Sequence, residues 1–136
     1  LGRWYHIAVV DNGSEMTIYI DGNAEISVDS SSSKAINLGF YYNSPFAIGM
    51  SAADVRYFNG YVSEARVWKR ALTPTELKNN QCYVDPATAE GLIGYWRLDQ
   101  VEDDGRTFTD LSGNGYHGKA SSNPIWTGEI KCPVVD

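Results

Sequence analysis

Two kinds of residue in this chain are spaced to do chemistry: acids around one loop, and tyrosines beside amides. Asp99, Asp103, Asp104 and Asp110 surround the loop from Gln100 to Thr109. Hard cations such as calcium take several oxygens from carboxylates and backbone carbonyls at loops, so calcium is the cofactor these acids could hold, with Asp99 and Asp110 bracketing the loop as ligands. EF-hand spacing is absent, and a run of loop acids is more commonly just solvated. The second group is Tyr41, Tyr42 and Asn43 at one turn and Tyr57 with Asn59 at another. A sugar face stacks on a flat ring while its hydroxyls demand fixed amide or carboxylate partners, and these are the parts such a surface needs. In an extended segment Tyr41 and Tyr42 point to opposite faces, so one of them should be exposed. The ordinary role of the same residues is amphipathic packing.

Catalytic arrangements are missing. Polysaccharide cleavage uses two carboxylates facing the sugar from one side, which on a strand means acids at alternate positions. Glu64 is the one acid on its strand, and Glu25 and Asp29 bracket a strand without matching its pleat; each reads as a solvated surface carboxylate. His6 sits beside Trp4 and Ala8 in a strand and His117 in a glycine-rich turn, positions where a histidine is normally hydrogen-bonded structure rather than a base. No Walker loop, His-Glu-x-x-His or Cys-x-x-Cys is present, and Gly113-Asn114-Gly115 is followed by no helix that would make it a phosphate cradle. The sequence predicts a protein that is not an enzyme.

The elements that position these residues are strands. The chain has 136 residues with 12% aromatics, including nine Tyr and four Trp, and its strong helix start is at Thr73; all-β is the expected class. This length suits one domain. A formal net charge of -6 opposes contact with a phosphate backbone, which excludes nucleic acid as a partner. No run approaches the roughly 18 apolar residues of a membrane span, and Leu1-Gly2-Arg3-Trp4 has no signal-peptide pattern, so no membrane insertion is expected. Cys82 and Cys132 are the two cysteines. A disulfide between them would close a long loop and stabilise by about 3 to 4 kcal/mol on the chain-entropy model, while two buried thiols would pack equally well.

Along the chain, residues 4–10 and 18–22 read as strands of a hairpin around Asp11-Asn12-Gly13-Ser14, because Asn-Gly accepts the positive φ of short turns. Residues 24–28 return as a strand, and 29–34 form an exposed serine-rich loop. Residues 36–42 and 46–50 are expected strands about Asn43-Ser44-Pro45, with 51–57 a connecting loop. Residues 61–68 alternate as a further strand after Asn59-Gly60. Thr73-Pro74-Thr75-Glu76 carries the cap, the N1 proline and the N3 acid of a helix start, giving a short helix over 74–80. Residues 91–99 form another strand, and residues 110–118, with three glycines and an asparagine, demand turns of positive φ. Trp4, Trp68 and Trp96 alternate with apolar neighbours and are expected in the core.

These segments resemble a known family. The hairpin Trp4, His6, Ile7, Ala8, Val9, Val10 closing on Tyr19-Ile20-Asp21-Gly22, and the run from Phe58-Asn59-Gly60-Tyr61-Val62-Ser63-Glu64 through Val67-Trp68 to Leu72-Thr73-Pro74 and Glu76, are similar to the second half of a laminin-G-like domain. That family lies in the concanavalin A-like lectin and glucanase superfamily with the pentraxins. The resemblance implies an antiparallel β-sandwich of jelly-roll type that binds rather than catalyses, in some members with calcium at the rim. It implies a glycan-recognition module of an extracellular or cell-surface protein, on the outer surface of a bacterium or in its periplasm. The alternative is a structural or adhesion domain that contacts a surface protein or neighbouring domain and takes no small ligand.

The order of motifs departs from the family. Gly91-Leu92-Ile93-Gly94-Tyr95-Trp96 and Asp110-Leu111-Ser112-Gly113-Asn114-Gly115 resemble the opening of such a domain, yet here they come last. The leading expectation is that residues 1–82 are the late-strand half of a sandwich, with residues 83–136 a β segment packed on it, within a longer protein of several domains. A permuted or minimal sandwich and a truncated second copy are the other two. The first expectation carries a structural consequence: an apolar sheet face or edge without a partner.

Overall fold

The computed structural model describes residues 2–31, 46–51, 56–99 and 101–121. Every strand pairing among them is antiparallel, and one short helix interrupts the strands. β1 (Ile7–Asp11) and β2 (Glu15–Ile20) form the expected hairpin. Its corner is locked by local polar groups. Gly13 has φ 87, the Asn12 side-chain oxygen accepts the amides of Ser14 and Glu15 at 2.9 Å each, and Asp11 Oδ1 accepts the Gly13 amide. β3 (Asn23–Asp29) follows a two-residue corner in which Asp21 and Gly22 both have positive φ, as a twisted hairpin requires, and it completes a sheet of order β1-β2-β3.

The register sorts this sheet into two faces. Ile7 lies opposite Ile20 and Val9 opposite Ile18, which in turn lies opposite Ile26; Met16 lies opposite Val28. One face is therefore aliphatic across all three strands. The other carries Ala8, Val10, Thr17 and Tyr19, with Thr17 buried and its hydroxyl 2.8 Å from that of Ser27. The serine-rich stretch is not wholly exposed: Ser30 is buried because its hydroxyl donates to Asp11 Oδ1 and its amide to the Ser14 carbonyl.

β4 (Met50–Ser51) and β5 (Arg56–Tyr57) make a two-residue ladder, so the ends of the expected 51–57 loop are paired. Residues 46–49 are irregular where a strand was expected, and 36–42 lie outside the described residues. β6 (Ala65–Trp68) is shorter than the alternation of 61–68 suggests, because Glu64 adopts φ 57, a left-handed conformation that a ladder does not tolerate. β6 pairs with β7 (Leu92–Trp96), Ala65 opposite Trp96 and Arg66 opposite Tyr95. A second left-handed residue, Leu98 at φ 61, lies just beyond β7.

Between β6 and β7, α1 (Pro74–Asn79) has the full capping box: the Glu76 amide donates to the Thr73 hydroxyl and the Thr73 amide to the Glu76 carboxylate. β8 (Thr107–Phe108) and β9 (Gly118–Lys119) close a last small ladder. The buried apolar residues are Leu72, Leu77, Val84, Leu92, Tyr95 and Trp96, drawn from α1, the segments flanking it and β7. Of the three tryptophans expected in the core, Trp96 alone is buried. Trp4 is half-buried ahead of β1 with its ring tilted against Tyr61, and Trp68, half-buried where the β6 register shifts, lies under the Arg70 guanidinium. No described helix is long and apolar enough to cross a membrane.

Candidate functional site

The most exposed aromatic surface among the described residues runs from β5 into the turn before β6. Tyr57, Phe58 and Tyr61 each leave most of their ring in solvent, and Asn59 is exposed among them. The backbone sets this arrangement. The Phe58 amide donates to the Gly49 carbonyl at 2.8 Å, fixing the turn to the strand before it. Gly60 lets the Phe58 ring lie on the main chain, since a Cβ there would stand 2.7 Å from the ring. Beside the aromatics opens a shallow cavity of about 430 Å³ lined by Ile48, Met50, Arg56, Tyr57, Phe58 and Val62. It offers ring faces and one guanidinium around a mostly apolar floor, a surface that can stack a flat ligand and bond its polar edge. Tyr57 and Asn59 were expected here. Tyr41, Tyr42 and Asn43 lie outside the described residues.

The acidic loop is organised for its own backbone. Asp110 is buried, and its two oxygens accept the amides of Tyr95, Ser112 and Tyr116 and the Ser112 hydroxyl, all within 3.0 Å. Burial alone would raise its pKa, but these donors together hold it below the ordinary carboxylate range. A cation at Asp110 would have to displace them. Asp99 is 2.8 Å from Arg97, and Asp104 accepts the amides of Arg106 and Thr107 and the Thr107 hydroxyl, which brings its pKa to about 2. Among the described residues no three His, Cys, Asp or Glu side chains converge as a metal site. Asp99 and Asp110 belong to no such group among the described residues.

Glu64 is not the solvated carboxylate its sequence position suggests. Its left-handed backbone turns the side chain inward, where it pairs with Arg66 at 3.0 Å and Arg97 at 3.6 Å and accepts the Tyr95 hydroxyl. Arg66 also donates to the carbonyls of Asn80 and Cys82. Burial and the hydrogen bond to Glu64 push the Tyr95 hydroxyl up to about 12, so it stays a donor. One carboxylate enclosed by two guanidiniums and a phenol is neutralised; the cluster ties β6, β7 and the segment after α1 together and offers no free base. Glu25 and Asp29 are exposed on β3, as expected. The imidazole Nδ1 of His117 accepts the Asp110 amide at 3.2 Å.

Residues 1–78 match the family model of laminin-G-like domains in the concanavalin A-like lectin/glucanases superfamily. The chain belongs to that laminin-G-like family. A similar solved structure is a candidate carbohydrate-binding protein from Bacteroides ovatus ATCC 8483, 35% identical, with a TM-score of 0.66 over 85% of this chain and 34% of that one. A second is a domain, residues 221–444, of an S-layer domain-containing protein from Clostridium thermocellum ATCC 27405; at 24% identity and a TM-score of 0.39 it covers 58% of this chain and 39% of that one. No curated protein matches the chain. This laminin-G-like chain thus spans about a third of the length of the Bacteroides protein.

Within the laminin-G-like module, sequence reasoning passed over Phe58, Tyr61 and Arg56. The signal was present: four aromatic or cationic side chains fall within six residues around an Asn-Gly pair, too dense for a buried strand. Cys82 is disulfide-bonded, and Cys132, the one other cysteine of the module, lies outside the described residues.

Proposed function

We propose that this chain is a non-catalytic module that recognises carbohydrate through the Tyr57–Tyr61 surface, as part of a secreted or cell-surface protein. The observation that carries the reading is the exposure of Tyr57 and Phe58 at the cavity, with Asn59 and Tyr61 exposed in the turn that follows. Rings held in water at a rim are costly unless something covers them, and a sugar face is a suitable cover. The similarity to a candidate carbohydrate-binding protein supports it, as does the engagement of Glu64 and Asp110 in ion pairs and hydrogen bonds within the fold. In this reading Tyr41, Tyr42 and Asn43 also take part in binding the sugar, and Cys82 pairs with Cys132, as suits an oxidising compartment.

A glycan array probed with the chain and with Tyr57→Ala tests the proposal. Binding to at least one glycan class, weakened tenfold or more by the substitution with an unchanged melting temperature, is the expected result. A chain that binds no glycan overturns it and leaves the scaffold role. Mass spectrometry with and without reduction tests the Cys82–Cys132 pair; two alkylatable thiols would rule it out.

A further inference from the structure

The chain contains three Asn-Gly pairs, Asn12-Gly13, Asn59-Gly60 and Asn114-Gly115, and the fold treats them differently. In such a pair the glycine nitrogen can attack the asparagine side-chain carbonyl, because no Cβ screens that nitrogen and the glycine backbone adapts to the small ring that forms. What separates the three is how each side chain is held. Asn12 Oδ1 accepts the amides of Ser14 and Glu15 at 2.9 Å, and the Gly13 nitrogen already donates to Asp11 Oδ1. Asn114 Nδ2, the atom that would leave, donates to the carbonyls of Leu92 and Ile93 and to the Ser112 hydroxyl. Asn59 is exposed, and among the described residues neither its side chain nor the Gly60 nitrogen has a hydrogen-bond partner.

We infer that Asn59-Gly60 is a self-modification site, where Asn59 loses ammonia and becomes aspartate and isoaspartate while the other two pairs stay largely intact. Hydroxide takes the Gly60 amide proton, and the Gly60 nitrogen bonds to Asn59 Cγ. The Cγ–Nδ2 bond then breaks, and the side-chain nitrogen leaves as ammonia after taking a proton from water. One water opens the resulting cyclic imide. Opening at Cγ gives aspartate; opening at the main-chain carbonyl gives isoaspartate, whose main chain runs through the former side chain and is one methylene longer. The sum consumes one water and releases one ammonia, with no oxidation or reduction. At Asn12 and Asn114 two or more hydrogen bonds must break before the ring can close, which slows those pairs about tenfold or more relative to Asn59. The product falls within the exposed aromatic stretch. It adds a negative charge between Phe58 and Tyr61, and a longer main chain there moves Gly60 from beneath the Phe58 ring, which occupies the place a Gly60 Cβ would take. The chemistry stands apart from what this surface binds; its effect on binding rests on the carbohydrate reading.

The test incubates the 136-residue chain in mildly alkaline buffer, folded and in guanidinium chloride, and follows each Asn-Gly pair by peptide mass spectrometry with fragmentation that distinguishes isoaspartate from aspartate. In the folded chain Asn59 is expected to show the amide-to-acid mass gain about tenfold faster than Asn12 or Asn114, and faster still as pH rises, because the Gly60 amide must lose its proton. In denaturant the three rates are expected to converge. Asn59→Gln, whose longer side chain closes the ring far more slowly, is expected to abolish the conversion with an unchanged melting temperature. A folded chain in which Asn59 keeps its amide as long as Asn12 and Asn114 do overturns the inference, and so do rates that stay apart in denaturant, which would assign the difference to local sequence rather than to the fold. Glycan binding by the aged chain is expected to fall in proportion to the converted fraction. Undiminished binding by a fully converted sample overturns the effect on the surface, and a fresh chain that binds no glycan counts against the carbohydrate reading while the masses still decide the site.

Discussion

The β1-β2-β3 sheet and the β6-β7 region solve the same folding problem in opposite ways. The first is built from neighbours in sequence: two tight corners, a strict alternation, and side chains such as Asn12 and Asp11 that satisfy the backbone within a few residues. It forms a sheet but buries little of it. The second joins strands more than 20 residues apart, and what holds it is polar: Glu64 between Arg66, Arg97 and Tyr95, and Asp110 among four donors. Local pattern suffices to shape strands; long-range satisfaction of charge is what fixes their neighbours.

That contrast can be broken most forcefully at Glu64. Glu64→Ala leaves two guanidiniums without their shared carboxylate, Arg66 being buried, and is expected to cost about 3 to 5 kcal/mol in urea unfolding. A loss under about 1 kcal/mol would show that the region is held by packing alone. Asp110→Ala comes next, at about 2 to 3 kcal/mol, since it strands the Tyr95, Ser112 and Tyr116 amides; Asp110→Asn should recover part of this because an amide accepts through one oxygen only.

A subtler probe is acid. Asp110 has a lower pKa folded than unfolded, so its contribution is complete above the ordinary carboxylate value and is lost as pH falls through the native one. The urea midpoint should therefore drop as pH falls below the ordinary carboxylate value of 3.8, and Asp110→Asn should flatten part of that drop. At the other extreme, Val9→Thr on the exposed sheet face should change the stability of this chain by no more than about 0.5 kcal/mol. A larger loss would mean that the face is already buried in solution.

The same division explains what could be read from sequence. The β1-β2 and β2-β3 corners, the Thr73 cap and the all-β class were legible because each rests on residues a few positions apart. Glu64 was misread because alternation assumes extended backbone, and its left-handed conformation makes sense only once Tyr95 and Arg97 are seen beside it. Asp110 looked like a cation ligand because acids near a loop signal charge, whereas the donors that use it come from β7 as well as from its own turn. Trp68 and Trp4 were placed in the core by apolar neighbours, and the structure leaves each half-buried, Trp68 under Arg70 and Trp4 against Tyr61.

Gly22 joins the two regions. At φ 75 it makes the corner between β2 and β3, and a Cβ there would come within 2.3 Å of the Lys78 side chain on α1. A methyl group at this one position would therefore strain a bend and push on a helix at once. The hairpin corner and the capped helix thus come closest where the smallest residue in the alphabet stands, and any side chain at this position would have to displace Lys78.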